Sequence, residues 1–566
     1  MASGTDNDII SDNAEVRSYS LNITSQNRRT RFDFDISPRM IKAWLQQLPL
    51  GDHLEASRII HHALHNVNRT LHPWDTRFTF LESIHETVNT LLTALNSNIN
   101  DISFPISEKG QRYIDSYELL CSEMNNGYKI TLSDYRNRLK FFQKQKDIAL
   151  IIYRAVFYIA HSILQSHNIY SDIRPGRWEE LNTLVLIASQ EKVADLDISQ
   201  GKRPPGENFS PITIILYQQL LMLNCASTSR LAQKNIQQLF KALSYWGRRV
   251  MIKSWSKENI IEATFVIEVN RDSGPIYKER LKGECSANRC LTIDTRKLVE
   301  KMSKVIAFCQ EKESDTPCEE ATLGVSLETI KHVRQAWKSL PTRHFQRRNI
   351  ENNNKLVILS GLPAIHRQYA KLIIADDHPD NQGTDISYGT VLAGNNIHLF
   401  EEFLYSGDNT VASEQNQHHP WEILNESAGG FRIITDAHVS SGVRVGELLS
   451  IARHEDDRHR SIATIRWLNF HKNGDTELGM EVISPSGSAA IVQIGDNSSS
   501  VNRLIRALLL PELTILNQEE SIILPLCGVR TGDQMTLIEA EQRYQIILGP
   551  VITQCETYAR FRYERK

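Results

Sequence analysis

The 566-residue sequence predicts a multidomain α+β protein: an α-helical N-terminal domain, then a small antiparallel β-barrel, then an additional C-terminal β-module. Three observations carry this. Up to about residue 250, apolar residues recur at three- and four-residue spacings, the period of helices that bury one face. From Lys355 onward the pattern changes to short apolar runs separated by turn residues such as Lys472-Asn-Gly-Asp475, as in a small antiparallel barrel. The length exceeds what one core serves, and about three or four domains are expected.

Taken in order, residues 1–29 are polar and read as a flexible N-terminus. Thr30 to Ile36 alternates like a strand, and Ser37-Pro38 supplies an N-cap and a first-turn proline for the first helix. Helical spacing follows in Leu54–Val67, Arg77–Leu95, Ser107–Cys121, Leu132–Leu164, Trp178–Val193, Pro211–Cys225 and Thr228–Trp246. Polar breaks separate them at NSNIND (96–101), EMNNG (123–127) and RPGR (174–177). Glu262–Asn270 alternates as a strand, and Thr295–Gln310 and Ser326–Leu340 are helical, so residues 30–325 form a mainly helical domain with a mixed end. Residues 326–489 form the barrel, with strands in KLVILSGL (355–362), WEIL (421–424), FRIITD (431–436), RVGELLSIA (444–452), SIATIRWLNF (461–470) and ELGMEVISP (477–485). Residues 363–420 are far longer than a hairpin loop, and such a length predicts a functional or disordered insertion. In residues 490–566, LLLPEL, SIILPLCGV, MTLIEA, YQIILGP and TYARFRYE read as the strands of the further β-module.

Composition excludes several function classes. Lys plus Arg number 64 against 67 Asp plus Glu, so the chain has no overall field for DNA, RNA or an anionic membrane, and any anion site must be local. The N-terminus lacks a basic start and apolar run, and the longest apolar segment, Ile148–Leu164, is short and interrupted by Arg154 and His161; no integral membrane segment and a cytoplasmic location are expected. Eight scattered cysteines then suit reduced thiols. His61 and His65 have the spacing that shares a metal on a helix, but no third donor is evident in sequence, so a structural pair is expected and no metal. Cys285, Cys290, Cys309 and Cys318 match no zinc knuckle and read as core or surface thiols; His454 and His459 read as a solvated hairpin tip. No phosphate-binding loop, dinucleotide fingerprint or nucleophile elbow is present, so no catalytic residue, no cofactor and no enzyme are expected.

Two motifs stand out in the β-rich half. Arg343-His-Phe-Gln-Arg347, followed by Arg348, lies just upstream of KLVILSGL, and Asn425-Glu-Ser427-Ala-Gly-Gly430 joins WEIL to FRII. Either alone has a bland explanation: RxxxR is common on solvated helix faces, and a glycine-rich run such as NESAGG is an ordinary β-turn. With Thr464-Ile-Arg-Trp-Leu468 and Glu477-Leu-Gly-Met-Glu481 following in order, the set over roughly residues 325–485 resembles the PilZ family. The resemblance implies a barrel that binds cyclic di-GMP, with Arg343, Arg347, Arg348, Asn425, Ser427, Gly429 and Gly430 as the ligand-binding set.

The residue types suit that ligand. A guanidinium fork addresses a phosphate or the O6/N7 edge of guanine, and its plane stacks on a purine. Asn425 and Ser427 offer short directional groups, and Gly429 and Gly430 allow close backbone approach. The resulting expectation is a cyclic di-GMP receptor or adaptor in which ordering of loop 341–350 couples the ligand to a protein partner held by the helical domain. The alternatives are a scaffold whose degenerate PilZ barrel binds no nucleotide and, more remotely, a zinc protein using the mid-chain cysteines.

Overall fold

In the computed structural model the described residues are 19–27, 36–100, 102, 104–138, 144–199, 208–283, 285–286, 289–311, 315–340, 348–349, 354–377, 399, 420–427, 429–435, 442–454, 457–494, 503–513, 518–540 and 542–566. The strand expected at Thr30–Ile36 lies almost wholly outside them, with only Ile36 described. The chain divides into two compact units, one of residues 1–102 and 106–342, the other of residues 103–105 and 343–566.

The first unit opens with eight helices: α1 (Pro38–Gln46), α2 (His53–Arg69), α3 (Trp74–Asn100), α4 (Glu108–Arg136), α5 (Gln145–Asn168), α6 (Arg177–Gln190), α7 (Thr213–Asn224) and α8 (Gln233–Trp246). Side-chain caps start two of them: Asp52 accepts from the Glu55 amide and Ser107 from the Gly110 amide. Helix α5 is the core helix, packed against α4, α6, α7 and α8. By length and composition it could cross a membrane, and its most apolar window is 83% buried inside this unit.

Sequence spacing broke the chain at EMNNG and joined Leu132 to Leu164, whereas the structure runs α4 straight through Glu123–Gly127 and starts a new helix at Gln145. The polar residues that resembled a turn are satisfied inside the bundle. Asn125 Nδ2 donates to Ala155 O at 3.0 Å, and Glu123 accepts from Asn68 and Arg69. Gly127 leaves room for α2 and α3, since a Cβ there would lie 2.9 Å from Asn68 Oδ1 and from a Leu81 methyl.

The end of this unit is mixed. Strands β1 (Met251–Ser254), β2 (Phe265–Glu268), β3 (Ile276–Tyr277) and β4 (Cys290–Asp294) form an antiparallel sheet in the order β1-β4-β2-β3, accompanied by α9 (Lys257–Glu262), α10 (Arg296–Glu311), α11 (Asp315–Thr322) and α12 (Leu327–Lys338). Helix α12 is locked to its surroundings: buried Trp337 donates Nε1–H to Met222 O at 3.0 Å, and the Tyr277 hydroxyl donates to Ala336 O at 2.6 Å. The expectation of free mid-chain thiols does not hold. Cys285 pairs with Cys290 and Cys309 with Cys318, because the loop before β4 and the return from α10 into α11 bring the Cα atoms to 5.8 and 5.3 Å.

The second unit holds two closed six-stranded barrels. Its first elements are β5 (Arg348–Asn349), β6 (Lys355–Ser360), α13 (Leu362–Asp377), β7 (Pro420–Ser427), β8 (Gly430–Thr435), β9 (Leu448–Ala452), β10 (Ser461–Phe470) and β11 (Thr476–Ser484). The strand order β7-β6-β9-β10-β11-β8 closes through β7–β8 pairing, and β5 pairs with Asn425 and Glu426 of β7, beyond the Pro420–Glu422 stretch that β6 covers. The second barrel closes in the order β12-β13-β14-β17-β16-β15, from β12 (Ser488–Ile494), β13 (Arg503–Leu510), β14 (Ser521–Pro525), β15 (Gln534–Ile538), β16 (Arg543–Gln554) and β17 (Tyr558–Arg565).

The start of the expected insertion is a packed element. Strand β6 stops at Gly361, whose φ of +89° turns the chain into α13, and Leu362, Ile365, Tyr369 and Ala370 share one core with Leu359 and Leu448 of the first barrel and Ala489, Ile491, Leu508 and Ile523 of the second. His366 Nε2 bonds Ala490 O at 3.0 Å. Helix α13 thus fills the joint between the barrels; the rest of 363–420, apart from Leu399 and Pro420, lies outside the described residues.

Candidate functional site

The six-residue motif Asn425–Gly430 forms the turn end of the β7–β8 hairpin. Ser427 pairs with Gly430 across a two-residue connection, and the Ser427 hydroxyl donates to Gly430 O at 3.3 Å. Glycine is required at 430 because β11 passes close beneath it: a Cβ would lie 2.0 Å from Met480 O. Gly429 O accepts from the Val482 amide at 3.0 Å, which fixes the turn to the same strand.

Along β7, Trp421, Ile423 and Asn425 are buried while Glu422 is exposed, and a register shift falls between Ile423 and Asn425. Asn425, 6% exposed, therefore continues the buried row of β7 at the hairpin end of the strand.

The other two motif segments build the wall behind the hairpin. Trp467 of β10 faces Gly479 of β11, where a Cβ would overlap the indole at 2.0 Å, so the IRW and ELGME strings are the two sides of one contact. Arg432 donates to Glu477 Oε1 at 2.6 Å, and His471 Nε2 lies 3.1 Å from Oε2. Burial raises the Glu477 carboxyl, but these bonds outweigh it and hold the group below the ordinary carboxylate range.

Arg343 and Arg347 lie outside the described residues. The residues that follow them directly in sequence are paired with the hairpin: Arg348 pairs with Glu426 and Asn349 with Asn425, so β5 lies alongside the Asn425–Gly430 motif across 76 residues of sequence. Arg348 is exposed. Arg453, beyond the end of β9, reaches Glu426 Oε2 at 3.4 Å and adds a second cation at this end of the barrel that sequence reading did not single out. No contiguous motif marks Arg453; only the fold brings it here.

Outside the barrel, the premise of one further expectation, that no third donor accompanies the histidine pair, does not hold. His61 and His65 do have a third donor beside them, Glu123 of α4, with one ligand atom from each residue lying within 4.8 Å of the others.

A closed barrel with this hairpin, the IRW strand and an arginine-bearing lead-in defines a PilZ-type domain. Family models described as the N-terminal domain, the middle PilZ domain and the C-terminal β-barrel domain of the cyclic-di-GMP receptor FimW match residues 39–257, 264–373 with 375–489, and 489–565. The chain belongs to this family of PilZ-domain cyclic-di-GMP receptors. Its middle match takes in β2 to β4 and α10 to α12 as well as the first barrel. A curated relative, the cyclic-di-GMP receptor FimW of Pseudomonas aeruginosa, is 23% identical over 577 residues, covering 93% of this chain and 90% of its own length. No solved structure gives a significant match.

Proposed function

We propose that this chain is a cytoplasmic, non-catalytic receptor that captures cyclic di-GMP between the arginine segment and the β7–β8 hairpin and passes that event to a protein partner of the helical domain. The observation that supports the reading is the register of Arg348 and Asn349 on Glu426 and Asn425, which brings the residues that directly follow Arg347 in sequence alongside the hairpin. Arg343 and Arg347 supply forks for phosphate and guanine edges, Arg348 adds charge, and Asn425, Ser427, Gly429 and Gly430 offer hydrogen-bond groups and close backbone approach. Coupling has a physical route. The arginines follow α12 directly in sequence, and α12 is anchored to the helical unit through Trp337, so a ligand that orders the arginine segment acts on that anchored end.

Titration calorimetry of the full-length chain tests the binding step. Cyclic di-GMP should bind saturably and at least about tenfold more tightly than GTP or cyclic GMP, since only the dinucleotide presents two guanines and two phosphates together. Equal affinities, or no binding, would favour the degenerate-barrel scaffold. A pull-down from a bacterial lysate with and without the dinucleotide tests the coupling.

A further inference from the structure

We propose that His61, His65 and Glu123 form a three-ligand site for a borderline divalent transition metal, zinc in the first instance, that ties α2 to α4. The two histidines stand one helical turn apart on α2, with ring centroids 5.9 Å apart. Glu123 comes from the middle of α4, with Oε1 3.4 Å from His65 Nδ1. Tetrahedral zinc, with bonds of about 2.0–2.2 Å, holds its ligand atoms about 3.4 Å apart, so drawing in a set already within 4.8 Å needs side-chain rotation only.

The carboxylate is held as a metal ligand usually is. Asn68, fully buried, donates Nδ2–H to Glu123 Oε2 at 2.7 Å and to Glu123 O at 2.8 Å, and Gly127 provides the space for its amide. Arg69 donates to Oε1 at 3.0 Å; its side chain is 35% exposed, so it can swing aside or remain as an outer partner of the ligating carboxylate. The competing explanation is that Glu123 serves only to pair Arg69 and Asn68. That explanation leaves the convergence of both imidazoles on the same carboxylate without a role.

Two imidazole nitrogens and one carboxylate oxygen select zinc over calcium or magnesium, which take oxygen sets. Three protein donors leave a fourth position for water, and the His65 side chain, 44% exposed, gives solvent access to it.

The test uses the full-length chain, stripped with a chelator and titrated with zinc chloride, with cobalt(II) as a spectroscopic substitute. One zinc per chain is expected, with cobalt giving the intense visible bands of a four-coordinate site. His61→Ala and His65→Ala should each weaken zinc binding by at least about tenfold. His62→Ala, a neighbouring histidine outside the cluster, should leave it unchanged. Circular dichroism in chelator confirms that each variant folds, and His61→Gln replaces His61→Ala if the alanine variant does not. Absence of stoichiometric zinc, or zinc that survives in the His61/His65 double variant, overturns the proposal.

Discussion

The two barrels of the second unit have the same strand number and differently built interiors. The interior of the second is continuous hydrocarbon from all six strands, including Val492, Leu509, Leu524, Leu537, Leu548 and Phe561. Among the described residues, register shifts there fall only in the β16–β17 pairing, and one outer face is buried under α13. In the first barrel the buried row of β7 ends on Asn425, β7 and β10 carry register shifts, and two glycines permit contacts too close for any side chain. Close packing tolerates such features where something other than packing is served. The second barrel is packed uniformly, and the first departs from uniform packing towards its hairpin end.

The largest expected effect tests whether that closeness is structural. Gly430→Ala puts a methyl against the Met480 carbonyl, backbone that cannot yield without parting β8 from β11, and should cost about 3 kcal/mol or more. Gly549→Ala in the second barrel meets Arg562 Cβ at 3.1 Å and should cost less than about 1 kcal/mol. Urea denaturation of both variants checks this, and equal losses would erase the contrast.

The joint between the barrels makes a pH prediction. Burial pushes the His366 imidazole down to about 4, with the Ala490 bond a smaller opposing effect. A histidine with a depressed folded-state pKa adds stability in full above its ordinary value of 6.5, and that stability is lost as the pH falls from there through 4. The loss should be about 3 kcal/mol for the second unit, and His366→Gln should flatten that part of the stability curve. An unchanged curve would mean that His366 is not sealed in the joint.

A smaller effect sharpens the functional contrast. Arg343→Ala and Arg347→Ala should each weaken cyclic di-GMP binding by about 1.5–3 kcal/mol, the worth of a charged hydrogen bond. Arg562→Ala, at an exposed arginine of the second barrel that pairs with exposed Glu519, should leave affinity unchanged within about 0.5 kcal/mol. Calorimetric titrations in parallel decide it.

Much of the barrels was legible because strands with one buried face alternate, and the hairpin because its residues are contiguous. Strand β12 was not singled out: Ala489 and Ala490 are small, and both its faces are buried, so alternation is weak. Helix α13 read as the start of an insertion because its apolar residues belong to a core shared by two barrels, which has no local period. Glu123 escaped because polar residues around Gly127 imitate a loop when their partners, Asn68 and Ala155, are far away in sequence. The pairing of Asn349 with Asn425 is likewise a long-range register that no local pattern encodes.

Hydrogen exchange of the full-length chain with and without cyclic di-GMP tests most directly whether the first barrel alone is the receptor. The account predicts slower exchange across residues 341–354 and 425–430 together, a change in α12, and none in β13 to β16 of the second barrel; Asn425→Ala should diminish all the changes at once. Protection confined to the second barrel, or to 425–430 with 341–354 and α12 untouched, would contradict it.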